Sequence, residues 1–397
     1  MNKLDTGTPA ETFGISLVRG DILYRLQRKI GLIPADGPGI GRRALFWALF
    51  AWLPIALWAW YTGRALPPAA PEPLLAHFGI HVRFLVAVPL FILAEGMAHG
   101  LTMQLLPYFV RSGVVPEREV PRFRDVIAKI VKLRDTTVPW ITILAFVVAA
   151  LTVTDVVRES HEVAWALGAD ESAPHTGFGA LWFLYVGRPI YLMLLFGWVW
   201  RVILMFLLFR GVAGLDLVIV PTHPDRAGGL GFLERIPKAF APVALAAGAV
   251  LAAGWAHDVV YHGVSAQSMQ LPMVAFVVTA LLVFLSPLFV FAGPLLKVKK
   301  QALLDYGALI GRHGKLVRER WIEGREVEED AILNAPELGP VADTTSLYEA
   351  VKHMRIVPLG KASVAPILLA AAIPMIAVFA IQMPVKGILK MLMKALI

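Results

Sequence analysis

Long apolar runs separated by short polar segments make up most of the chain. Seven of these runs are near the roughly 20 residues of helix that cross a hydrocarbon core about 30 Å thick. They cover about residues 44–61, 84–106, 138–156, 180–212, 239–261, 272–295 and 364–382. The pattern predicts an all-α, polytopic integral membrane protein with about seven transmembrane helices in contact with a lipid bilayer.

The Lys and Arg residues are concentrated between alternate apolar runs. Segments 1–43, 107–137, 210–238 and 297–362 hold most of the 37 basic residues, and they account for the net charge of +8. The positive-inside rule places these segments, and the N-terminus with them, in the cytoplasm. Because the charge is spread over four segments without a recognisable nucleic-acid-binding module, no nucleic-acid partner is expected.

The pattern divides the chain into four regions. They are a cytoplasmic amphipathic segment (1–43), helices one to six with cytoplasmic loops 107–137 and 210–238 (44–295), a cytoplasmic helical segment (296–362), and the last transmembrane helix with an amphipathic tail (363–397). The first region has the helical periodicity of an interfacial helix on an anionic leaflet, or of a cytosolic packing helix. No cleaved signal peptide is expected. The predicted location is the cell membrane, in a bacterium the inner membrane.

Two helices are longer than the bilayer is thick. The run 180–212 corresponds to about 50 Å of helix at 1.5 Å per residue, so it is expected to project into the cytoplasm. The sixth helix can continue past residue 295 in the same direction. The tail beyond residue 383 carries three lysines against the positive-inside rule, so either it lies on the outer interface or the span count is off by one.

Polar residues inside the apolar runs are the first functional candidates. Glu95 falls near the middle of the second run, and His99 lies one turn further along the same helix face. Ionisable groups inside a membrane are costly and mark ion or proton pathways by default. Arg188 is predicted at a similar depth, so a Glu95–Arg188 ion pair is the structural alternative. A second span that ends early, near Ala98, would instead place Glu95 at the cytoplasmic interface.

A polar, glycine-rich loop, PTHPDRAGGLGFLERIPK, lies between the fourth and fifth runs. Its backbone N–H groups beside an arginine suit an anion such as a phosphate or lipid head group, and its His–Asp pair suits a metal or a proton. The structural alternative is a helix connection in which Asp225 makes an Asx turn and Arg226 bonds helix C-terminal carbonyls. The candidate ligand-binding residues are His223, Asp225, Arg226, Gly228, Gly229 and Gly231.

A further polar cluster lies at the outer end of the fifth run. Asp258 and His262 are four residues apart on one helix face, with His257 beside them. The spacing permits a metal site or a pH-sensitive gate, although an interfacial polar cluster has the same pattern. The chain has no cysteine, which excludes disulfides, thiolate metal sites and a cysteine nucleophile. No cofactor is predicted.

The last run ends in MIAVFAIQM, with Gln382 as its strongly polar residue. Seven spans, an overlong fourth helix, an extended sixth helix and a divided seventh element resemble the seven-transmembrane channel superfamily that contains insect odorant and gustatory receptors. That family ends its last helix with Thr-Tyr, five apolar residues, Gln and Phe; here Gln382 matches, the Thr-Tyr pair is absent and Met383 replaces Phe. The resemblance implies a channel-like homo-oligomer with residues 364–382 at the pore.

Three functions compete for this chain. The leading hypothesis is an ion-channel-like homo-oligomer, with Gln382 in its last helix. The second is a proton-coupled secondary transporter that binds a proton or small solute at Glu95, His99 and Arg188. The third is a membrane enzyme that acts on lipid or phosphate at the cytoplasmic face through the glycine-rich loop. An enzyme is the less favoured class, because no second acidic or histidine motif stands at a recognised spacing nearby.

Overall fold

The computed structural model describes residues 13–34, 37–66, 73–152, 164–166, 177–325 and 339–382. Every regular element in these ranges is a helix. Seven helices are long and apolar enough to cross a membrane, which confirms the prediction of an all-α, multi-pass membrane protein. The tail with its three lysines lies outside the described residues.

The described ranges form eleven main helices. Their bounds are Ile22–Lys29 (α1), Ile40–Tyr61 (α2), Phe78–Arg111 (α3), Val120–Asp135 (α4), Val138–Thr152 (α5), Phe178–Ala213 (α6), Ala241–Tyr261 (α7), Gln270–Phe289 (α8), Ala292–Val317 (α9), Gly339–Lys352 (α10) and Lys361–Gln382 (α11). Six of the spans are α2, α3, α6, α7, α8 and α11. The remaining span is formed by α4 and α5 together. At 36 residues, α6 confirms the prediction of an overlong fourth helix.

The second spanning helix extends beyond residue 106, where the predicted apolar run ends. Helix α3 continues through Pro107 to Arg111. A proline inside a helix removes a backbone N–H and costs about 3 kcal/mol in an isolated helix. Leu106 and Phe109, on either side of the proline, are buried in the core. Their packing holds the last turn in helical form.

The sixth span and its extension form two helices rather than one. Helix α8 ends at Phe289 and α9 begins at Ala292. At the break, Phe291 is fully buried, and its ring packs against the rings of Phe109 and Phe209. The turn therefore places an aromatic side chain in the core, and the helical path then continues through a π-helical turn to residue 322.

Helices α3 and α6 lie side by side and run in the same direction. Near their starts, the ring of Phe84 lies so close to Gly187 that a Cβ there would come within 2.6 Å of it. Further along, the indole Nε1 of Trp198 donates to the carbonyl of Phe91 at 3.1 Å. This pairing brings the second halves of both helices together, where each carries a charged residue.

Small residues bring α7 and α11 into close contact. Ala244 and Ala371 are fully buried where the helices meet. Gly248 has little room for a side chain, because a Cβ would lie 3.1 Å from the ring of Phe276 and 3.5 Å from the Ala371 carbonyl. The alanine- and glycine-rich sequence of the fifth span thus serves tight helix packing, as small residues do in membrane proteins generally.

Candidate functional site

A network of buried charges joins three spanning helices. Its centre is Glu95 of α3, which is only 4% exposed. Oε1 of Glu95 accepts a hydrogen bond from Nη2 of Arg201 at 2.8 Å, and Oε2 accepts one from Nη2 of Arg43 at 2.5 Å. Both arginines are also buried. One carboxylate therefore ties α3 to α2 and to α6.

Asp21 brings a second carboxylate to the same arginine. It is the N-cap of α1, where Oδ1 accepts from the backbone N–H of Tyr24 at 2.7 Å. Its Oδ2 accepts from Nη2 of Arg201 at 2.9 Å. A single guanidinium nitrogen thus serves both Asp21 and Glu95.

Gln27 closes the network on the side of α2. Its Oε1 accepts from Nε of Arg43 at 2.6 Å and from the indole Nε1 of Trp47 at 3.3 Å. Because Gln27 and Asp21 are both buried, α1 is held against the spanning helices by polar contacts as well as by packing. We call this set the buried charge network. Its members are Asp21, Gln27, Arg43, Glu95 and Arg201.

The charges of the network cancel, since two carboxylates face two guanidinium groups. Taking each charge out of water costs several kcal/mol, which only close pairing and hydrogen bonding offset. Burial is the largest influence on Asp21 and raises the pKa of its carboxyl group; Glu95 raises this pKa further, and the charge of Arg201 opposes the rise. Asp21 therefore holds a proton more tightly than a carboxyl group in water does.

Arg201 also borders a small cavity. Thr102, Trp198 and Leu17 are among the residues that line this space of about 10 Å³, close to the volume that one water molecule needs. Nε and Nη1 of Arg201 are buried without a hydrogen-bond partner in the part of the chain that the structure describes. The guanidinium group therefore has donors that no described residue uses.

The predicted Glu95–Arg188 ion pair is wrong, because Arg43 and Arg201 take both oxygens of Glu95. Arg188 precedes Arg201 by about 20 Å along α6 at 1.5 Å per residue. The error came from counting depth from the start of the apolar run at residue 84, whereas α3 begins at Phe78. The alternative of a second span that ends near Ala98 is also wrong, because α3 continues to Arg111.

Sequence reasoning missed most of the network. The sequence analysis included Arg43 only as one of the basic residues that precede the first span, and it named no candidate residue in the segment that contains Asp21. Arg201 carried the clearest signal, because it interrupts the apolar run GWVWRVILMF. His99, the other candidate beside Glu95, is half-buried and lies near Arg19 outside the network.

The carboxylate of Asp225 organises the glycine-rich loop between α6 and α7. Oδ1 accepts from the N–H groups of Ala227 at 2.8 Å and Gly229 at 3.2 Å, and Oδ2 accepts from Gly231 at 2.7 Å. Nδ1 of His223 lies 2.8 Å from Oδ1. Burial acts to raise the pKa of Asp225, but these four hydrogen bonds together outweigh it and lower the pKa. The Asx-type turn expected at Asp225 is confirmed.

The segment before α11 rests on this loop. Arg226 has a φ of 55°, in the left-handed region that costs a non-glycine residue energy, and its carbonyl accepts from the N–H of Arg355 at 2.7 Å. The guanidinium group of Arg355 donates to the Asp225 carbonyl at 2.8 Å and pairs with Glu234 at 2.5 Å. Gly228 also has a positive φ, of 67°. The N–H groups that a bound anion would need are thus directed at the loop's own carboxylate.

The polar cluster at the end of α7, which consists of His257, Asp258 and His262, has a fourth member in the structure, His77. Nδ1 of the buried His257 lies 3.0 Å from the Ala76 carbonyl, and its ring stacks on His77 with centroids 4.9 Å apart. The ring of His262 lies 5.2 Å from that of His257, while Asp258 borders a neighbouring cavity of about 290 Å³. Among the described residues, no group of three or more His, Asp or Glu side chains has the arrangement of a metal site.

Gln382 joins the end of α11 to the connection between α7 and α8. Its Oε1 accepts from the N–H of Ala266 at 2.7 Å, and its Nε2 donates to the carbonyl of Val264 at 3.0 Å. Both ends of the amide are therefore bonded within the subunit. A pore position for Gln382 stays a prediction.

No protein-family model, curated protein or solved structure matches this chain. The function is therefore inferred from the geometry of the site. Of the three polar sites, the buried charge network alone combines paired acids and bases with a position inside the spanning helices. Two carboxylates that share one guanidinium nitrogen are groups that can bind a proton and exchange ion-pair partners.

Proposed function

We propose that the protein is a proton-coupled secondary transporter whose proton site is the buried charge network. The observation that supports this most is the sharing of Nη2 of Arg201 between Asp21 at 2.9 Å and Glu95 at 2.8 Å. Two carboxylates that compete for one donor form an arrangement that a single proton can change. Ionisable groups within spanning helices are typical of proton relays in transporters.

Asp21 is the proton acceptor in this mechanism. Its raised pKa lowers the cost of protonation, and its helix lies outside the spans, on the predicted cytoplasmic side. A proton from water would add to Oδ2 of Asp21, which then no longer attracts the Arg201 cation. Arg201, still protonated, keeps Glu95 as its partner. Helix α1 would thereby lose its ion pair with α6, and this loss couples protonation to movement.

The solute of such a transporter is a small molecule or ion whose binding favours one of the two pairings. Only a solute with different affinities for the two states can shift their populations. The network is neutral when Asp21 is ionised and gains one positive charge when Asp21 is protonated. An anionic solute would therefore be drawn to the protonated state.

The test is solute-driven proton movement in liposomes. The purified full-length protein is reconstituted with a trapped pH-sensitive dye, and amino acids, small carboxylates and inorganic salts are added outside one class at a time. We expect one class to move protons in the wild type, and both Asp21→Asn and Glu95→Gln to abolish the signal. Glu119→Gln is the matched control, because Glu119 is also buried and paired, with Arg122 at 3.0 Å, but lies outside the network.

Two results would contradict this proposal. One is solute-driven proton movement that survives both network variants. The other is rapid ion flux that needs no solute and changes with Gln382→Leu, which would favour the channel that the family resemblance implies. The mass of the detergent-solubilised protein, measured on the same sample, tests the predicted homo-oligomer.

A further inference from the structure

A pocket lined by arginines lies beside α1. Its volume is about 530 Å³, and its lining residues lie within 19–34 and 37–38. We call it the arginine pocket. Its polar side chains are those of Arg19, Tyr24, Arg25 and Arg28.

The arginine pocket is lined by positively charged side chains in the part of the chain that the structure describes. No carboxylate lines the pocket among the described residues, and none of the three arginines forms an ion pair there. Arg25 donates only to the Asp135 carbonyl, at 3.4 Å. The Nε of Arg19 is a buried atom that lacks a hydrogen-bond partner in the same ranges. Three guanidinium groups with free donors suit an oxyanion, above all a phosphate.

The pocket lies beside the start of a spanning helix. Pro38, on its rim, stands two residues before the first residue of α2. Helix α1 packs Ile22 and Leu23 against the cluster around Trp140 of α5. Two large apolar side chains on the same face of α1, Leu26 and Ile30, are more than half exposed. An amphipathic helix with basic residues and exposed apolar ones lies in the membrane interface.

We propose that the arginine pocket binds the phosphate of an anionic phospholipid headgroup. The guanidinium groups of Arg19, Arg25 and Arg28 would hold the phosphate oxygens at the level of the headgroups. Leu26 and Ile30, on the apolar face of the same helix, would face the acyl chains of the bilayer. This division of α1 into a basic face and an apolar face is typical of a helix in the membrane interface, and it favours a lipid headgroup over a soluble phosphate. Basic pockets at the cytoplasmic ends of spanning helices bind such headgroups elsewhere.

The lipid would also contact the network through one side chain. Tyr24 lines the pocket, and its ring lies under the guanidinium group of Arg43, 5.6 Å from the centroid to Cζ. The backbone N–H of Tyr24 donates to Asp21. A bound headgroup would thus stabilise α1 in the position in which its polar face meets the network. This inference stands whether or not the network moves protons.

The experiment measures lipid binding by the purified full-length protein in a neutral detergent. Phosphatidylglycerol or phosphatidylcholine is titrated in, and the apparent melting temperature is followed, since a ligand of the native state raises it. We expect stabilisation by phosphatidylglycerol only. Arg25→Gln and Arg28→Gln should each weaken the apparent affinity by about fivefold, as expected for one basic residue at a lipid surface. Lys29→Gln, on the same helix but outside the pocket, should not.

A second arm separates a lipid from a soluble ligand. Millimolar inorganic phosphate is added in place of lipid, with sodium chloride at the same ionic strength as the comparison. Stabilisation by phosphate as strong as by phosphatidylglycerol would overturn the lipid assignment. Equal loss of affinity in Lys29→Gln and Arg28→Gln would overturn the pocket and point to diffuse surface charge. The arginine variants are exposed, so each should melt like the wild type without lipid, which shows that they fold.

Discussion

Asp21 and Asp225 are two partly similar aspartates in very different surroundings. Each accepts a backbone N–H at a turn, but Asp21 is buried and the side chain of Asp225 is 21% exposed. The pKa of Asp21 is raised and that of Asp225 is lowered. The difference lies in burial, which is deeper for Asp21, and in the partners: Asp225 has three backbone donors and a histidine, whereas Asp21 has one backbone donor and a shared arginine.

Backbone donors and side-chain donors have different consequences for function. The N–H groups around Asp225 are part of the backbone of a turn, so rotation of a side chain cannot remove these three donors. The arginine beside Asp21 also bonds Glu95, at 2.8 Å, so Asp21 shares its side-chain donor with a second carboxylate. In the function that we propose, the loop is therefore a fixed connection and the network is the part that switches.

The largest effect is expected from Arg201→Met. It removes the partner of two buried carboxylates and should cost about 3–5 kcal/mol of stability, the usual result of breaking a buried ion pair. The apparent melting temperature in detergent measures it. Arg118→Met is the control, because its pair with Asp216 is about two-thirds exposed and should contribute at most about 1 kcal/mol.

A double variant sharpens this first test. Adding Glu95→Gln to Arg201→Met leaves one carboxylate, Asp21, and one guanidinium group, Arg43. If charge balance dominates, the double variant should be more stable than the sum of the two single losses predicts. Strictly additive losses would show that packing, and not charge, holds the network together.

Asp225→Ala should have the next largest effect, about 1–3 kcal/mol, because it leaves three backbone N–H groups without their acceptor. The loss should be local, so limited proteolysis should cut the glycine-rich loop of the variant faster than that of the wild type. Asp305→Ala, which removes an exposed aspartate of α9, should leave the cleavage rate unchanged. Unchanged cleavage in Asp225→Ala would contradict the carboxylate's part in shaping the loop.

The two aspartates should respond to pH with opposite signs. The raised pKa of Asp21 means that its contribution to stability is greatest below the ordinary value of 3.8 and is lost as pH rises through the native pKa. The lowered pKa of Asp225 means that its contribution is present above 3.8 and is lost as pH falls through the native pKa. Melting temperatures of the wild type, Asp21→Asn and Asp225→Asn across acidic pH measure both. If the difference in melting temperature between wild type and variant changed with pH in the same direction for both aspartates, the predicted contrast between them would be wrong.

His223→Ala should have the smallest effect. The imidazole is 42% exposed and supplies only one of the four hydrogen bonds to Asp225. The backbone donors remain in the variant, so the loss should stay within about 1 kcal/mol. A loss as large as that of Asp225→Ala would mean that the imidazole, and not the backbone, stabilises the carboxylate.

The spanning helices could be predicted because lipid imposes a length and a composition on each of them. Six of the seven runs start within four residues of an α-helix of the structure, when the third run is compared with α5 and the fifth with α7; the second helix begins six residues earlier than its run. Because of this earlier start, Glu95 lies deeper along its helix than predicted, and it meets Arg201 instead of Arg188. Pairing across helices depends on depth and rotation, which apolar periodicity does not define. The contacts of Arg201 with Asp21, 180 residues apart, could not be read from local spacing.

The loop was more predictable than the network for a simple reason. Asp225 bonds to groups two, four and six residues ahead of it, and such short-range contacts follow from sequence order. The contact between this loop and Arg355 is long-range, and it escaped the sequence analysis. Local polar structure was thus accessible from the residues alone, whereas the partners of buried charges were not.

The network also sets an order for biogenesis. Asp21 and Arg43 leave the ribosome first, Glu95 follows Arg43 by 52 residues, and Arg201 follows Glu95 by 106. Before the fourth span is inserted, the nascent chain therefore carries two acids and one base at this site. Arg201 supplies the second base and adds the ion pair that joins α1 to α6. The charge balance of the network is therefore complete only once the fourth span has been synthesised.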